Sequence, residues 1–299
     1  MVIKKVVLTI TALMAILFLS GTGLCDQAEI RHLASMSRIE QNGIFGLLGG
    51  VFYDEERQRV YFTDATNGRI MSYDSRFEFI SEFKGAEGMI APVGIVRDSK
   101  GRFFVSQPKT GQVLMIDIDQ KRIMPLDMSV VPGGNPVYPG ALAIDLNDRL
   151  YIADRSNQRI ILFNPDLRFS GIIPVEGRGL KDVTVDSQGR IYTLNTMDGS
   201  VRVHNSHGQR ILEFGSRGKG RGEFSFPISL AVDGAGTIYV LDQHLSKVFV
   251  FNRSGQFLFD FGQFGWIEGR LRYPSSIYVN KAGKIFIVDQ QNARVCVFQ

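Results

Sequence analysis

The chain is poor in the residue types that most often build metal centres and covalent frameworks. It has four histidines, two cysteines and one tryptophan among 299 residues. Four scattered histidines give little support for a three-histidine zinc site, and two cysteines supply neither a disulfide framework nor a cysteine-rich metal site. Beyond the N-terminal segment, no stretch shows apolar residues at a sustained helical spacing. A helical fold is therefore not expected.

An excess of charge of one sign is also lacking. The chain has 34 Lys and Arg residues against 30 Asp and Glu residues, and two of its lysines, Lys4 and Lys5, lie in the N-terminal segment. We therefore expect no nucleic-acid partner, because such a partner selects for a strong basic field. The basic stretch SRGKGR at 216–221 is interpreted as a glycine-rich, solvated connector rather than an anion site.

Long apolar runs are confined to the N-terminus. Lys4 and Lys5 precede an apolar run at 6–19, and the small residues SGTG follow at 20–23. This layout predicts a signal peptide at 1–25 and export to the periplasm or the extracellular space. Membrane association would require retention of this segment or lipidation of Cys25, whose flanking residues match a lipobox poorly. Whether Cys25 pairs with Cys296 is left open.

The sequence is rich in short apolar strands separated by polar turns. In YIADRSNQRIILFN, at 151–164, one strand ends at Asp154 and the next begins at Arg159. Comparable stretches occur six times, with the first of the two strands ending at 64, 107, 154, 195, 242 and 289. Steps of 41 to 47 residues are typical of four-stranded propeller blades. Because a catalytic pair has no reason to occur six times, Asp154 and Arg159 are interpreted as a structural unit that pairs across an exposed turn.

The repeat predicts four antiparallel strands per blade. Asp or Asn ends each first strand, at 54, 98, 145, 186, 233 and 280, where it can accept hydrogen bonds from the next turn. The sixth repeat stops at Gln299 after three strands, and AEIRHLASMSRI at 28–39 offers a fourth. We predict an all-β fold, a six-bladed β-propeller of four-stranded antiparallel blades whose last blade is closed by the N-terminal strand. Residues 26–42 hold that strand and 43–299 form the propeller.

These patterns resemble the NHL-repeat family, whose blades follow the approximate pattern PxGIAVD, GxIYVAD, NxRIxVF and FGxxG. The third repeat has PGALAIDLNDRLYIADRSNQRIILFN and the fifth has FPISLAVDGAGTIYVLDQHLSKVFVFNRSGQFLFDFG. The resemblance covers about 43–299 and implies the propeller fold. It implies little about function, because unrelated functions are grafted onto one fold.

Some enzymes built on similar propellers hold calcium or zinc where the first strands converge. The polar residues that the first strands place near that point are Lys181, Asp182, Ser229, Ser275 and Ser276. A weak calcium site would have to combine Asp182 with Asn135, and no catalytic residue or cofactor is predicted. Two alternatives stay open, a metal-dependent hydrolase of the lactonase or lyase type and a small-molecule or glycan sensor that uses Tyr138 and Tyr273.

The leading hypothesis is an exported, non-catalytic scaffold that binds an exported or surface protein in the cell envelope. Turns between second and third strands, together with the links between blades, can vary without harm to the core and therefore suit binding. The candidate binding residues on this face are Lys109, Arg155, Asn157, His244 and Trp266. Trp266 either packs between blades or is exposed as an anchor for a partner.

Overall fold

The structure is a computed structural model that describes residues 30–37, 44–85, 89–133 and 136–299. Within these ranges the chain forms six antiparallel sheets of four strands and one turn of 3-10 helix, Gln290–Asn292. No helix in this part of the chain is long and apolar enough to cross a membrane. The expected signal peptide, Cys25 and Asn135 lie outside the described residues.

Each sheet is a blade that runs from an inner first strand to an outer fourth strand. The first strands are β2 (Leu48–Asp54), β6 (Ile95–Arg97), β10 (Pro139–Ile144), β14 (Leu180–Val185), β18 (Pro227–Val232) and β22 (Ser276–Val279). The second strands are β3 (Arg59–Asp64), β7 (Phe103–Gln107), β11 (Leu150–Asp154), β15 (Ile191–Asn195), β19 (Ile238–Asp242) and β23 (Ile285–Asp289). The third strands are β4 (Arg69–Tyr73), β8 (Gln112–Asp117), β12 (Arg159–Phe163), β16 (Ser200–His204), β20 (Lys247–Phe251) and β24 (Arg294–Phe298). The fourth strands are β5 (Phe79–Phe83), β9 (Arg122–Pro125), β13 (Phe169–Pro174), β17 (Arg210–Phe214), β21 (Phe257–Phe261) and β1 (His32–Met36).

The first strands form a closed ring around a central channel. Each contacts the first strand of the next blade, and β22 of the sixth blade contacts β2 of the first. The second strands are buried along almost their whole length, because neighbouring blades cover both of their faces. The core therefore lies between blades, and the predicted all-β, six-bladed architecture is confirmed.

The N-terminal strand closes the ring. β1 pairs antiparallel with β24, so that Ser35 lies opposite Cys296 and Met36 lies opposite Val295. Just beyond these pairs, Arg31 and Gln299 exchange two backbone hydrogen bonds of 2.7 and 3.0 Å. The strand anticipated within 28–39 is thus the outer strand of the sixth blade, as predicted.

The Asp and Asn residues at the ends of the first strands, or directly after them, organise the turns that follow. Asp145 Oδ1 accepts a hydrogen bond of 2.9 Å from the backbone N–H of Asn147, two residues on. The same bond to the second residue of the turn is made by Asp54, Asp186, Asp233 and Asn280. These side chains therefore have the structural role that their recurrence indicates.

The acid-turn-base unit is structural too, but it is not exposed. Asp154 is fully buried, and its Oδ2 accepts a hydrogen bond of 2.8 Å from Arg159 Nε. Its Oδ1 accepts the backbone N–H of Tyr138, which belongs to the link that precedes the blade. The expectation of an exposed pair was wrong because the link folds over the turn. The carboxylate thereby fastens the link to the blade, and the pairs at 64/69 and 289/294 have the same side-chain bond.

Candidate binding face at the channel mouth

A cavity of about 350 Å³ opens where the first strands begin, on the end of the ring that carries the turns between second and third strands. We call it the channel mouth. Its first-strand and link residues include Gly49, Gly50, Gly94, Tyr138, Gly140, Lys181, Asp182, Ser229, Ser275 and Ser276. Its turn residues include Ala65, Pro108, Lys109, Arg155, Gln243 and Gln290. Lys109 and Arg155, two of the predicted binding residues, therefore share this cavity.

Asp182 is the carboxylate of the channel mouth, and its hydrogen bonds join two blades. One oxygen accepts the backbone N–H of Val183 and the other accepts the backbone N–H of Leu230 in the next blade, both at 2.8 Å. Burial raises the pKa of this carboxyl above its ordinary value. Asp182 is therefore explained by the packing of blade four against blade five.

The described side chains at the channel mouth do not fit a calcium site. At the position of Asp182, the other five blades carry Gly50, Gly94, Ala141, Ser229 and Ser276. No group of three or more His, Cys, Asp or Glu side chains in the described part of the chain could hold a metal ion. Calcium usually takes six to eight oxygen ligands, several of them carboxylates. Because Asn135 lies outside the described residues, its pairing with Asp182 stays a prediction.

Arg155 lies across the entrance of the channel mouth. Its guanidinium carbon is 5.5 Å from the centre of the Tyr138 ring, a cation–π contact. A Cβ atom at Gly140 would come within 2.6 Å of Arg155 Cδ, so the side chain occupies the space that this glycine leaves open. Asn157, from the same turn, donates instead to Pro136 O and to Asp154 Oδ2, and thereby holds the turn against the link.

Lys181 is the second residue of the first strand of blade four, and it lines the same cavity as Arg155. Burial, and next the positive charge of Arg155, lower the pKa of its amine to about 8. The carboxylate of Asp182 opposes that shift but is held by backbone N–H groups. The channel mouth thus places two cationic side chains from neighbouring blades against each other.

His244 and the link that carries Trp266 lie over blades five and six. His244 stacks on Phe226, with ring centres 4.5 Å apart, and lies 6.4 Å from the ring of Tyr273. Tyr273 in turn lies 6.5 Å from Phe264, which is in the same link as Trp266. Trp266 is 72% exposed, so the alternative in which it packs between blades does not hold. We call His244, Phe264, Trp266, Ile267 and Tyr273 the aromatic patch.

The sequence alone missed two members of this patch. Phe264 is 51% exposed and Ile267 is 56% exposed. Both lie within three residues of Trp266, so the composition of the link could have drawn attention to them. Leu245, in the neighbouring turn, is also exposed, and it shares a groove with the basic link at 216–221. Lys109 and Arg155 therefore line the channel mouth, whereas His244 and Trp266 belong to the aromatic patch. The fifth predicted binding residue, Asn157, lies in neither, because its side chain bonds the link and Asp154.

The basic link has a defined backbone. Gly218 and Phe224 are joined by a backbone hydrogen bond of 3.0 Å, and Gly220 N–H donates to the carboxylate of Glu223. Arg217, Lys219 and Arg221 line the groove that also contains Leu245. Positive charge thus borders the apolar surface on blade five.

These features define the chain as a six-bladed β-propeller. A family model described as a 6-bladed beta-propeller matches residues 180–261, which span blades four and five from β14 to β21. Among curated proteins no sequence matches the chain.

Several solved structures share the fold at low sequence identity. Virginiamycin B lyase from Staphylococcus aureus is 10% identical, with a TM-score of 0.62 over 91% of this chain and 99% of that one. A gluconolactonase from Xanthomonas campestris is 14% identical, with a TM-score of 0.66 over 85% of this chain and 86% of that one. A protein of unknown function from Bacteroides thetaiotaomicron is 15% identical, with a TM-score of 0.68 over 90% of this chain and 72% of that one. At these identities the likeness establishes the fold alone.

Proposed function

We propose that this chain is an exported, non-catalytic β-propeller that binds a protein partner of the cell envelope or the cell surface through its aromatic patch. The observation that carries this proposal is the exposure of Phe264, Trp266 and Ile267 together in one link. Exposed apolar surface of this kind is costly in water unless a partner covers it.

The surroundings of the patch suit a protein interface. Tyrosine and tryptophan contribute most to binding when they lie at the centre of a contact, surrounded by polar residues. Leu245, next to His244 in the chain, lines a groove with four cationic side chains and two carboxylates. These are Arg217, Lys219, Arg221, Lys247, Glu223 and Asp260. This arrangement favours a partner with an apolar centre and acidic residues at its edge, because opposite charges accelerate and orient association.

Export is proposed from the N-terminal sequence. Lys4 and Lys5, the apolar run at 6–19 and the small residues at 20–23 have the order of a signal peptide. Fractionation of cells that express the full chain tests this, with cleavage measured by N-terminal sequencing of the exported protein. A full-length protein that stays in the cytoplasm would overturn the proposed location.

The hydrolase alternative receives support only from the fold that the lyase and the gluconolactonase share with this chain. The described residues of the channel mouth offer a single carboxylate, Asp182, and its oxygens are taken by backbone N–H groups. The geometry therefore favours binding over metal-dependent hydrolysis.

Site-specific photocrosslinking in the native cells tests the protein-binding proposal. A photoreactive phenylalanine analogue is placed at Trp266, at Phe264 or at Leu146. Leu146 is the matched control because it is 74% exposed but lies in the turn between β10 and β11, on the opposite end of the ring. We expect one discrete adduct from 264 and 266 and none from 146.

Affinity measurements with the crosslinked partner, once purified, complete the test. Trp266→Ala is expected to weaken binding by about thirtyfold, as for a residue at the centre of an interface. Leu146→Ala is expected to leave the affinity unchanged. Equal adducts from both ends of the ring, or an affinity that does not respond to Trp266→Ala, would refute the proposed binding surface.

A further inference from the structure

The channel mouth brings three cationic side chains together. Lys109, Arg155 and Lys181 line one cavity, and none of their side-chain nitrogens has a hydrogen-bonded or ion-paired acceptor among the described residues. Arg155 Nε is buried as well as unpaired. By contrast, Arg159 and Arg294, which begin third strands at the same end of the ring, each bond a buried carboxylate.

The repeat provides an internal control for what the fold requires. At the turn position of Arg155 the other blades carry Ala65, Pro108, Thr196, Gln243 and Gln290. At the first-strand position of Lys181 they carry Gly49, Val93, Gly140, Ile228 and Ser275. Neither position is cationic in any other blade. The two charges are therefore not a part of the propeller architecture.

The two charges also oppose each other. Burial, and next the charge of Arg155, disfavour the protonated amine of Lys181 and lower its pKa, and the charge of Asp182 offsets this only in part. Asp182 cannot turn toward the amine without releasing the backbone N–H of Val183 or Leu230. A buried cation without a partner is destabilising, so an anion between the two side chains would relieve an unfavourable arrangement.

We propose that the channel mouth binds a small ligand that carries one carboxylate or phosphate group, held between Arg155 and Lys181 with Lys109 at the rim. Guanidinium and ammonium groups are the side chains that proteins use most for these anions. The opposite wall, with Gln243, Ser275 and Gln290, is polar but uncharged. It suits a neutral, hydroxylated remainder of the ligand. A cavity of about 350 Å³ is large enough for a molecule the size of a monosaccharide. This site is separate from the aromatic patch and does not depend on a protein partner.

Isothermal titration calorimetry with the full exported chain tests the proposal. The probes are glucuronate, glucose 6-phosphate and neutral glucose, which separate a carboxylate from a phosphate and from the sugar alone. We expect one of the two anions to bind with a Kd below about 1 mM and glucose not to bind. Preference for glucuronate would identify a carboxylate as the charged group of the ligand, and preference for glucose 6-phosphate would identify a phosphate. If neither anion binds, the proposal is overturned.

Variants locate the site. Arg155→Gln and Lys181→Met are each expected to weaken anion binding at least tenfold, because each removes a charge that faces the ligand. Lys219→Gln is the matched control, since Lys219 is an exposed cation that lines a different groove. Unchanged affinity in the first two variants, or an equal loss in the third, would refute the assignment.

Proton uptake gives a readout that a loss of folding cannot imitate. The charged groups that line the channel mouth are Lys109, Arg155, Lys181 and Asp182. An anion next to Lys181 should raise the pKa of its amine, so binding at pH 8 should take up a fraction of a proton. Titrations in buffers with different ionisation enthalpies measure this uptake, which Lys181→Met should abolish. Uptake that persists in this variant would contradict the role of Lys181.

Discussion

The closing strand makes a prediction about the reactivity of Cys296. The Cys296 thiol is fully buried between blades five and six, and Ser35 Oγ of the neighbouring strand β1 lies 3.7 Å from its sulfur. Burial raises the pKa of the thiol to about 12, so the folded state contains almost no thiolate at neutral pH. In a chain that begins at Asp26, Cys296 is the only thiol. Its rate of alkylation should therefore report how often β1 leaves the sixth blade.

The perturbation is Met36→Ala in β1. Met36 is 1% exposed, and replacing a buried methionine by alanine costs about 2–5 kcal/mol. If opening of β1 breaks the packing of Met36, a loss of about 2.8 kcal/mol raises the open population about a hundredfold. At neutral pH and with reagent in excess, the alkylation rate of Cys296 should rise by the same factor.

The matched control is Leu230→Ala. Leu230 is equally buried but lies in blade five, away from β1. It should lower the free energy of global unfolding by a similar amount while changing the alkylation rate much less. If both variants accelerate alkylation equally, Cys296 is reached only through global unfolding, and the reasoning that β1 opens separately is refuted.

Three further predictions concern buried charge and metal. Asp154→Ala should lower the free energy of unfolding, measured in urea, by about 3–5 kcal/mol, because it leaves the guanidinium of Arg159 without its carboxylate. The control Glu78→Ala removes an exposed ion pair with Arg76 and should have no measurable effect. Similar effects of the two variants would contradict the buried role of Asp154. Lys181→Met should be more stable than the natural chain at pH 7, and the difference in stability should shrink as the pH rises from about 8 to 10.5. The reason is that the lowered pKa of Lys181 makes the unfolded state bind more protons than the folded state across this interval. A constant difference would show that folding does not lower the pKa of Lys181. Removal of divalent metal by a chelator should leave the melting temperature unchanged, because the oxygens of Asp182 already accept backbone hydrogen bonds. One bound calcium per chain, together with a chelator-dependent melting temperature, would instead support the hydrolase alternative.

The sequence predicts the fold well because the repeat is local. Each blade contains its own strands and turns, so the spacing of strands and turns within one repeat predicts the same arrangement in all six blades. The closing role of β1 follows from counting strands, since the sixth repeat lacks one. The burial of Asp154 could not be read in this way, because it depends on a link that folds back over the turn and donates the N–H of Tyr138.

The candidate sites are less predictable for a similar reason. Lys181 and Arg155 lie 26 residues apart in different blades, and only the assembled ring brings them to one cavity. Trp266 is a large apolar residue of the kind that is often buried, yet it lies on a link that the blades leave exposed to solvent. Hydrophobicity alone could not distinguish a residue that packs between blades from one that faces solvent.

The pairing of Met36 with Val295 also sets an order of events during synthesis. These two residues are separated by almost the whole chain, and at about 5–20 residues per second roughly 15–50 s pass between their synthesis. Until then β1 has no partner and the ring cannot close. A chain that ends early would leave the sixth blade incomplete and expose a sheet edge that can pair with other chains. Closure by the first strand therefore makes completion of the fold conditional on completion of the chain.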